Sequence, residues 1–171
     1  DVDLAGSLVT GTSMTASRLT VHGSSTDQTI GLGSTAKDMH MTDVEISRIT
    51  SSGGILLGSQ DTGDVTVNGM TDANTDSIGT LTLVATKATK LMTFATTASS
   101  FNKGIIVQAM GGVRFDESVT SRSGATVISG GTGTVTVSTG KALKTTDQLL
   151  TITADDLDLT GDVSSGNAAI H

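Results

Sequence analysis

Apolar residues recur along this chain in short clusters, each closed by Gly, Ser, Asn or Asp. In order they are Val2–Leu4, Leu8-Val9, Leu19–Val21, Ile30–Leu32, Ile55–Leu57, Val65–Val67, Leu81–Val84 and Leu91–Phe94. Then follow Ile105–Val107, Val113–Phe115, Val127-Ile128, Val135–Val137, Leu149–Ile152 and Leu157–Leu159. Within most of them the period is two, as in Val65-Thr66-Val67, Leu81-Thr82-Leu83, Val135-Thr136-Val137 and Leu157-Asp158-Leu159. One side of each cluster is apolar and the other carries Thr or Asp, which predicts half-buried strands. Glycines between clusters (Gly53-Gly54, Gly63, Gly69, Gly111-Gly112, Gly130-Gly131, Gly133) mark corners. One segment departs from this pattern. From Thr42 to Ile49, Glu45 stands three residues after Thr42, and Ile46 and Ile49 share a helical spacing, so one or two capped helical turns are expected there. Thr71–Asp76 reads as a polar turn, and Thr96 to Lys103 as an excursion around Phe101.

Many short strands suit either an antiparallel sandwich or barrel, or a parallel β-solenoid. Antiparallel hairpins announce themselves with Asn-Gly or Asp-Gly loops, and only Asn68-Gly69 qualifies. In a solenoid each coil lies about 4.8 Å from the last, so small and β-branched side chains stack on their like. The absence of proline suits a chain whose backbone amides are all needed by neighbouring strands. The expected fold is all-β: a parallel β-helix (β-solenoid) of about eight coils, roughly 20 residues and about 4.8 Å each, extending about 40 Å. No amphipathic capping helix flanks Asp1 or His171, so uncapped ends are expected.

The segment Asp156 to Gly166 aligns without gaps on Asp1 to Gly11, an offset of 155 residues (156 − 1). Both aspartates, the leucine and both glycines of Asp1-Val2-Asp3-Leu4-Ala5-Gly6-Ser7-Leu8-Val9-Thr10-Gly11 are identical in the later copy. After six residues of slippage, Ala169-Ile170-His171 falls on Thr20-Val21-His22. Self-similarity at a fixed offset predicts repeat architecture. Residues 1–171 are therefore expected to be a single solenoid module, one period of about 155 residues in a tandem repeat.

Several stretches resemble filamentous-haemagglutinin-type repeats of very large secreted, adhesin-like proteins. They are Thr29-Ile30-Gly31-Leu32-Gly33, the turn Asp43 to Ile49, Gly63-Asp64-Val65-Thr66-Val67-Asn68-Gly69 and Ser77-Ile78-Gly79-Thr80-Leu81-Thr82-Leu83. Ala98-Ser99-Ser100-Phe101-Asn102 and the stretch Leu149 to Asp158 complete the likeness, which spans most of residues 20 to 160. The resemblance implies a right-handed β-helix exported to the cell surface or beyond, and it implies no enzymatic activity. The secretion-signal domain carried by such proteins is not among these residues.

Composition narrows the chemistry. Only 2% of residues are aromatic, and Cys, Trp and Tyr are absent, so disulfides and thiolate metal sites are excluded. A net charge of −7 argues against nucleic acid and anionic membrane surfaces. No apolar run is long enough for a membrane-spanning helix, so no membrane insertion is expected. No Asn-x-Ser/Thr sequon occurs, so any sugars would be O-linked.

The acidic groups Asp1/Asp3, Asp61/Asp64, Asp72/Asp76, Asp116-Glu117 and Asp155, Asp156, Asp158 are candidate Ca²⁺ ligands, the last set foremost. No EF-hand or Gly-Gly-x-Gly-x-Asp loop accompanies them, and solvated charge is the simpler reading. His22, His40 and His171 lack metal-site spacing. The glycine pairs lack a nucleotide-loop context, and no Gly-x-Ser-x-Gly elbow exists. The expectation is a non-enzymatic structural and adhesive module of an extracellular filament. Its partners would be neighbouring copies of itself and cell-surface or matrix glycans. Two alternatives stand beside it. Thr80/Thr82, Thr134/Thr136 and Thr151/Thr153 would suit an ice- or glycan-binding surface, and paired carboxylates a β-helix carbohydrate-active enzyme, although no Trp or Tyr is present to stack on sugars.

Overall fold

The computed structural model describes residues 2–10 and 17–171. The chain lays down β1 (Leu8–Thr10), β2 (Leu19–Val21), β3 (Ile30–Gly33), β4 (Met39–Met41), helix α1 (Asp43–Ser47), β5 (Ile49–Ser51), β6 (Ile55–Ser59) and β7 (Val65–Asn68). After a 3-10 turn (Ala73–Thr75) come β8 (Leu81–Ala85), β9 (Met92–Phe94), β10 (Ser99–Lys103), β11 (Ile105–Ala109), β12 (Gly112–Phe115) and β13 (Val119–Ser123). The last are β14 (Thr126–Ser129), β15 (Thr134–Val137), β16 (Ala142–Thr145), β17 (Leu150–Thr153), β18 (Asp156–Leu159) and β19 (Asp162–Ser164).

These strands stack as a parallel β-solenoid with three faces. The first face is a six-stranded sheet in the order β17-β14-β11-β8-β6-β2, and the second is seven-stranded, β18-β15-β12-β9-β7-β3-β4. The third holds the pair β1-β5 and the four-stranded sheet β10-β13-β16-β19. Ile55 stands opposite Leu81, Leu81 opposite Ile105, and Thr126 opposite Leu150, steps of 26, 24 and 24 residues. Coils are thus longer than the expected 20 residues, and about five turns replace the expected eight. The difference is the third face, whose strands carry few apolar residues.

The core lies between the faces as columns of stacked side chains. Ile55, Leu81 and Ile105 form one column on the first face; Val67, Phe94, Phe115 and Val137 form one on the second, and all are buried. Phe94 and Phe115 stack with ring centroids 4.9 Å apart and planes 10° from parallel. Such a pair contributes about 0.5–1.5 kcal/mol beyond its burial. Their neighbours Thr93 and Arg114 point outward, as the two-residue period requires.

The helical expectation at Thr42 holds. The Thr42 hydroxyl accepts from Glu45 N–H (3.1 Å) and Glu45 Oε2 accepts from Thr42 N–H (2.7 Å), a reciprocal cap on α1. The expected polar turn at Thr71–Asp76 contains the 3-10 turn. The excursion expected from Thr96 to Lys103 is corrected: Ser99–Lys103 is β10, and Phe101 faces inward at 1% exposure. Val2–Leu4 forms no strand, but Val2 N–H donates to His40 O (3.1 Å) at the edge of the second face.

One feature of the second face breaks the simple winding. β3 and β4 are parallel neighbours joined by only five residues, Ser34 to Asp38, where such links usually need a dozen or more. The loop doubles back across β3. A Cβ on Gly31 would lie 1.8 Å from Thr35 O, so only glycine admits it. Asp38 Oδ2 pins the loop by accepting from Thr29 N–H (2.9 Å) and the Thr29 hydroxyl (2.8 Å). β4 is thereby wedged in at the sheet edge that residues 2–4 adjoin.

Phe115→Ala is expected to cost about 3–5 kcal/mol, since it empties the stacked column, while Arg114→Ala one residue earlier stays within about 0.5 kcal/mol. Urea unfolding of the two variants against the parent chain measures the contrast.

Candidate functional site

The outer surface of the second face carries a concave polar region. β12, β15 and β18 place Arg114, Thr136 and Asp158 opposite one another in a single outward row, with Gly112, Thr134 and Asp156 beside them. Together with Leu91, Gly111, Gly133 and Leu157 these residues line a groove of about 690 Å³. The groove floor is close-packed backbone: a Cβ on Gly133 would meet Gly111 O at 2.1 Å. Arg114 Nη2 lies 3.2 Å from Asp116 Oδ1, and Asp116 also accepts from the Ser138 hydroxyl (2.9 Å). The groove is open and of mixed charge. It presents hydrogen-bonding groups and no nucleophile paired with a base.

Of the foremost Ca²⁺ candidates, Asp156 and Asp158 share this outward row, while Asp155 sits in the preceding corner, where its N–H donates to Gly133 O (3.3 Å). Asp156 Oδ1 accepts from its neighbour Leu157 N–H (2.9 Å). Among the described residues no group of three His, Cys, Asp or Glu side chains converges on one point. Asp1 lies outside the described residues. His22 and His40 each meet a nearby backbone carbonyl, Gly23 O at 2.8 Å and Gly33 O at 2.7 Å, and His171 N–H donates to Leu150 O (2.9 Å). The three histidines are not brought together.

The other acidic groups act between coils. Asp64 Oδ1 accepts from Leu91 N–H (2.9 Å), Arg122 Nε donates to Asp72 (2.8 Å), and Glu117 pairs with Lys141. Asp27 pairs with Lys87 and with Lys90 (3.0 Å); hydrogen bonding from Lys87 first, then Lys90, holds its carboxyl below the ordinary 3.8. Sequence spacing offers no sign of these ties, because the partners stand one or two coils apart. The threonine pairs form no flat array either. On the first face the outward row reads Thr20, Leu56, Thr82, Ile106, Val127, Thr151, so apolar residues interrupt the threonines.

A second polar focus surrounds α1. Glu45 accepts from Thr42 N–H, from the Thr42 hydroxyl (2.8 Å) and, through Oε1, from Leu4 N–H (3.3 Å), while the Arg48 guanidinium donates to Leu4 O. On the other side Asp43 accepts from Thr71 N–H (2.9 Å), the Thr71 hydroxyl (2.8 Å) and Asn74 Nδ2 (2.7 Å). One short helix therefore fastens the segment at residues 2–4 to the coil that contains Thr71.

The chain matches no family model, no curated protein and no solved structure. Among the described residues no helix is long and apolar enough to cross a membrane.

Burial pushes the Glu45 carboxyl up, but the Thr42 amide and hydroxyl, the Leu4 amide and His40 together carry it below the ordinary 4.5. A depressed carboxylate stabilises the fold above its unfolded value, and that contribution is lost as pH falls through the folded value. Hydrogen exchange is expected to show Leu4 N–H losing protection below about pH 4.5, with Glu45→Gln abolishing that pH dependence.

Proposed function

We propose that this chain is a structural and adhesive module of an extracellular fibrous protein of the filamentous-haemagglutinin-like kind. The observation that carries the reading is the stacking of parallel strands on three faces, continuous through six strands on the first and seven on the second. A solenoid of this kind is quasi-one-dimensional: load is shared among backbone hydrogen bonds along the axis, and length is added by further coils. Inter-coil ion pairs such as Glu117–Lys141 and Arg122–Asp72 add lateral stiffness. Electron micrographs of native material are expected to contain unbranched fibres with a regular axial repeat; uniform compact particles would overturn the reading.

Glycan binding on the second face is the adhesive part of the proposal, favoured by the open polar groove around Arg114, Thr136 and Asp158. Arg114→Ala is expected to weaken binding to a glycan array about tenfold, the weight of one charged hydrogen bond. Unchanged binding would move the adhesive surface elsewhere.

A further inference from the structure

The self-similar segments occupy corresponding places in the fold. Residues 156–159 form β18 on the second face and 162–164 form β19 on the third; Val2 adjoins the second face through His40, and Leu8–Thr10 is β1 on the third. Ile170 bridges to Leu150 on the first face, where Thr20 and Val21 belong to β2. The described parts of both segments thus fall in turn on the second, third and first faces, and each segment has a different neighbour.

In the first segment the described residues 2–10 and 19–21 are covered on the side of β4, α1, β5 and β6. The coil of residues 156–171 rests on β15, β16 and β17. In the first, Val2, Leu4 and Val21 pack partly buried against the core. Their counterparts Leu157, Leu159 and Ile170 are 49%, 43% and 48% exposed. Glycine shows the complementary deficit. A Cβ on Gly161 would strike Ser138 O at 2.4 Å and Lys141 O at 2.5 Å, whereas one on its counterpart Gly6 would meet nothing within 4 Å. Gly161 has the neighbour that makes glycine necessary, and Gly6 carries the glycine without the neighbour.

The strand registers agree on the joint. Leu157 stands opposite Val135, in the column that runs through Val65 and Ile30 to Met39, whereas the hydrogen bond of its counterpart Val2 to His40 O sets Val2 against Met41. On the first face Ile170 stands opposite Leu150, in the column of Ile55, whereas Val21 stands opposite Leu57. Both faces call for the same stagger, in the same sense, across one shared coil: two residues (41 − 39 and 57 − 55).

We infer that the coil 156–171 is a splice coil. In an assembly it takes the place that residues 2–10 and 19–21 hold in a second copy of this sequence, resting on β15–β17 of its own copy and covered by β4, α1, β5 and β6 of the next. The covering contacts are those already made to residues 2–10. Leu157 N–H meets His40 O, Leu159 N–H meets Glu45, Arg48 meets Leu159 O, and Val163 pairs with Ile49 of the second copy. This deepens the filament reading and rests on it by naming the joint.

The test fuses the full chain directly to residues 23–171 of a second copy, so that His171 precedes Gly23. Small-angle scattering is expected to give one rigid rod with a maximum dimension about twice that of the single chain. With Val163→Cys in the first copy and Ile49→Cys in the second, oxidation is expected to close a disulfide, since facing residues of adjacent strands suit its geometry. Two bodies at a variable separation, or a rod in which this disulfide does not form, would overturn the splice. Fibres in native material alongside a flexible fused pair would leave the filament reading standing and remove the splice. A rigid, cross-linked pair beside fibre-free native material would do the reverse.

Discussion

Everything in this fold depends on parallel strands of successive coils lying in register, so that each backbone amide finds its partner in the neighbouring coil. The register decides which residues are core. Ile55, Leu81 and Ile105 are fully buried because coils press on them from both sides, whereas Leu157 and Leu159, with a coil on one side only, are nearly half exposed. Burial here is a property of neighbours more than of residue type, and stability accumulates coil by coil.

A narrow interior built this way has corners to close, and hydroxyls close them. On the third face the last inward residue of several coils is Ser or Thr, and its hydroxyl satisfies the turn that follows. Ser51 Oγ donates to Gly54 O (2.8 Å), Thr145 Oγ1 to Gln148 O and Ser165 Oγ to Ala168 O (both 2.5 Å), while Ser121 and Thr126 pair with each other at 2.6 Å. These polar groups are buried yet satisfied, so they avoid the penalty of orphaned donors. Carboxylates do the matching work outside, tying coil to coil through amides and lysines.

This division of labour explains what could be read from the sequence. On the first and second faces inward Val, Ile or Leu often alternate with Thr, so their strands were legible from periodicity, and the scarcity of hairpin loops and absence of proline pointed on to the parallel solenoid. The Thr42–Glu45 cap was equally plain. The third face was not, because Ser121, Thr145 and Ser165 occupy core positions where periodicity looks for apolar residues. Missing those strands shortened the apparent coil and inflated the number of turns. The β3–β4 link was hidden for another reason: its signature is the bare Cα of Gly31, which any turn would also use. In the candidate site, Asp156 and Asp158 could be found by composition, but the groove needed Arg114 and Thr136 from two other coils, and no spacing rule joins them.

A sheet edge that is open along its length invites pairing with any other edge, and natural sheets restrain this with charge. The coil at β18 carries Asp156 and Asp158, and Asp162 follows at β19, so two such edges approaching each other set aspartate against aspartate. The coil of β4 and α1 carries His40 and Arg48 beside Asp43 and Glu45, and within the chain Arg48 already reaches the main chain at Leu4. In the joint proposed above, like-charge repulsion between two β18 edges disfavours tail-to-tail contact. The aspartates of that joint serve twice, as solvated groups on the outer face and as charges that keep like ends apart.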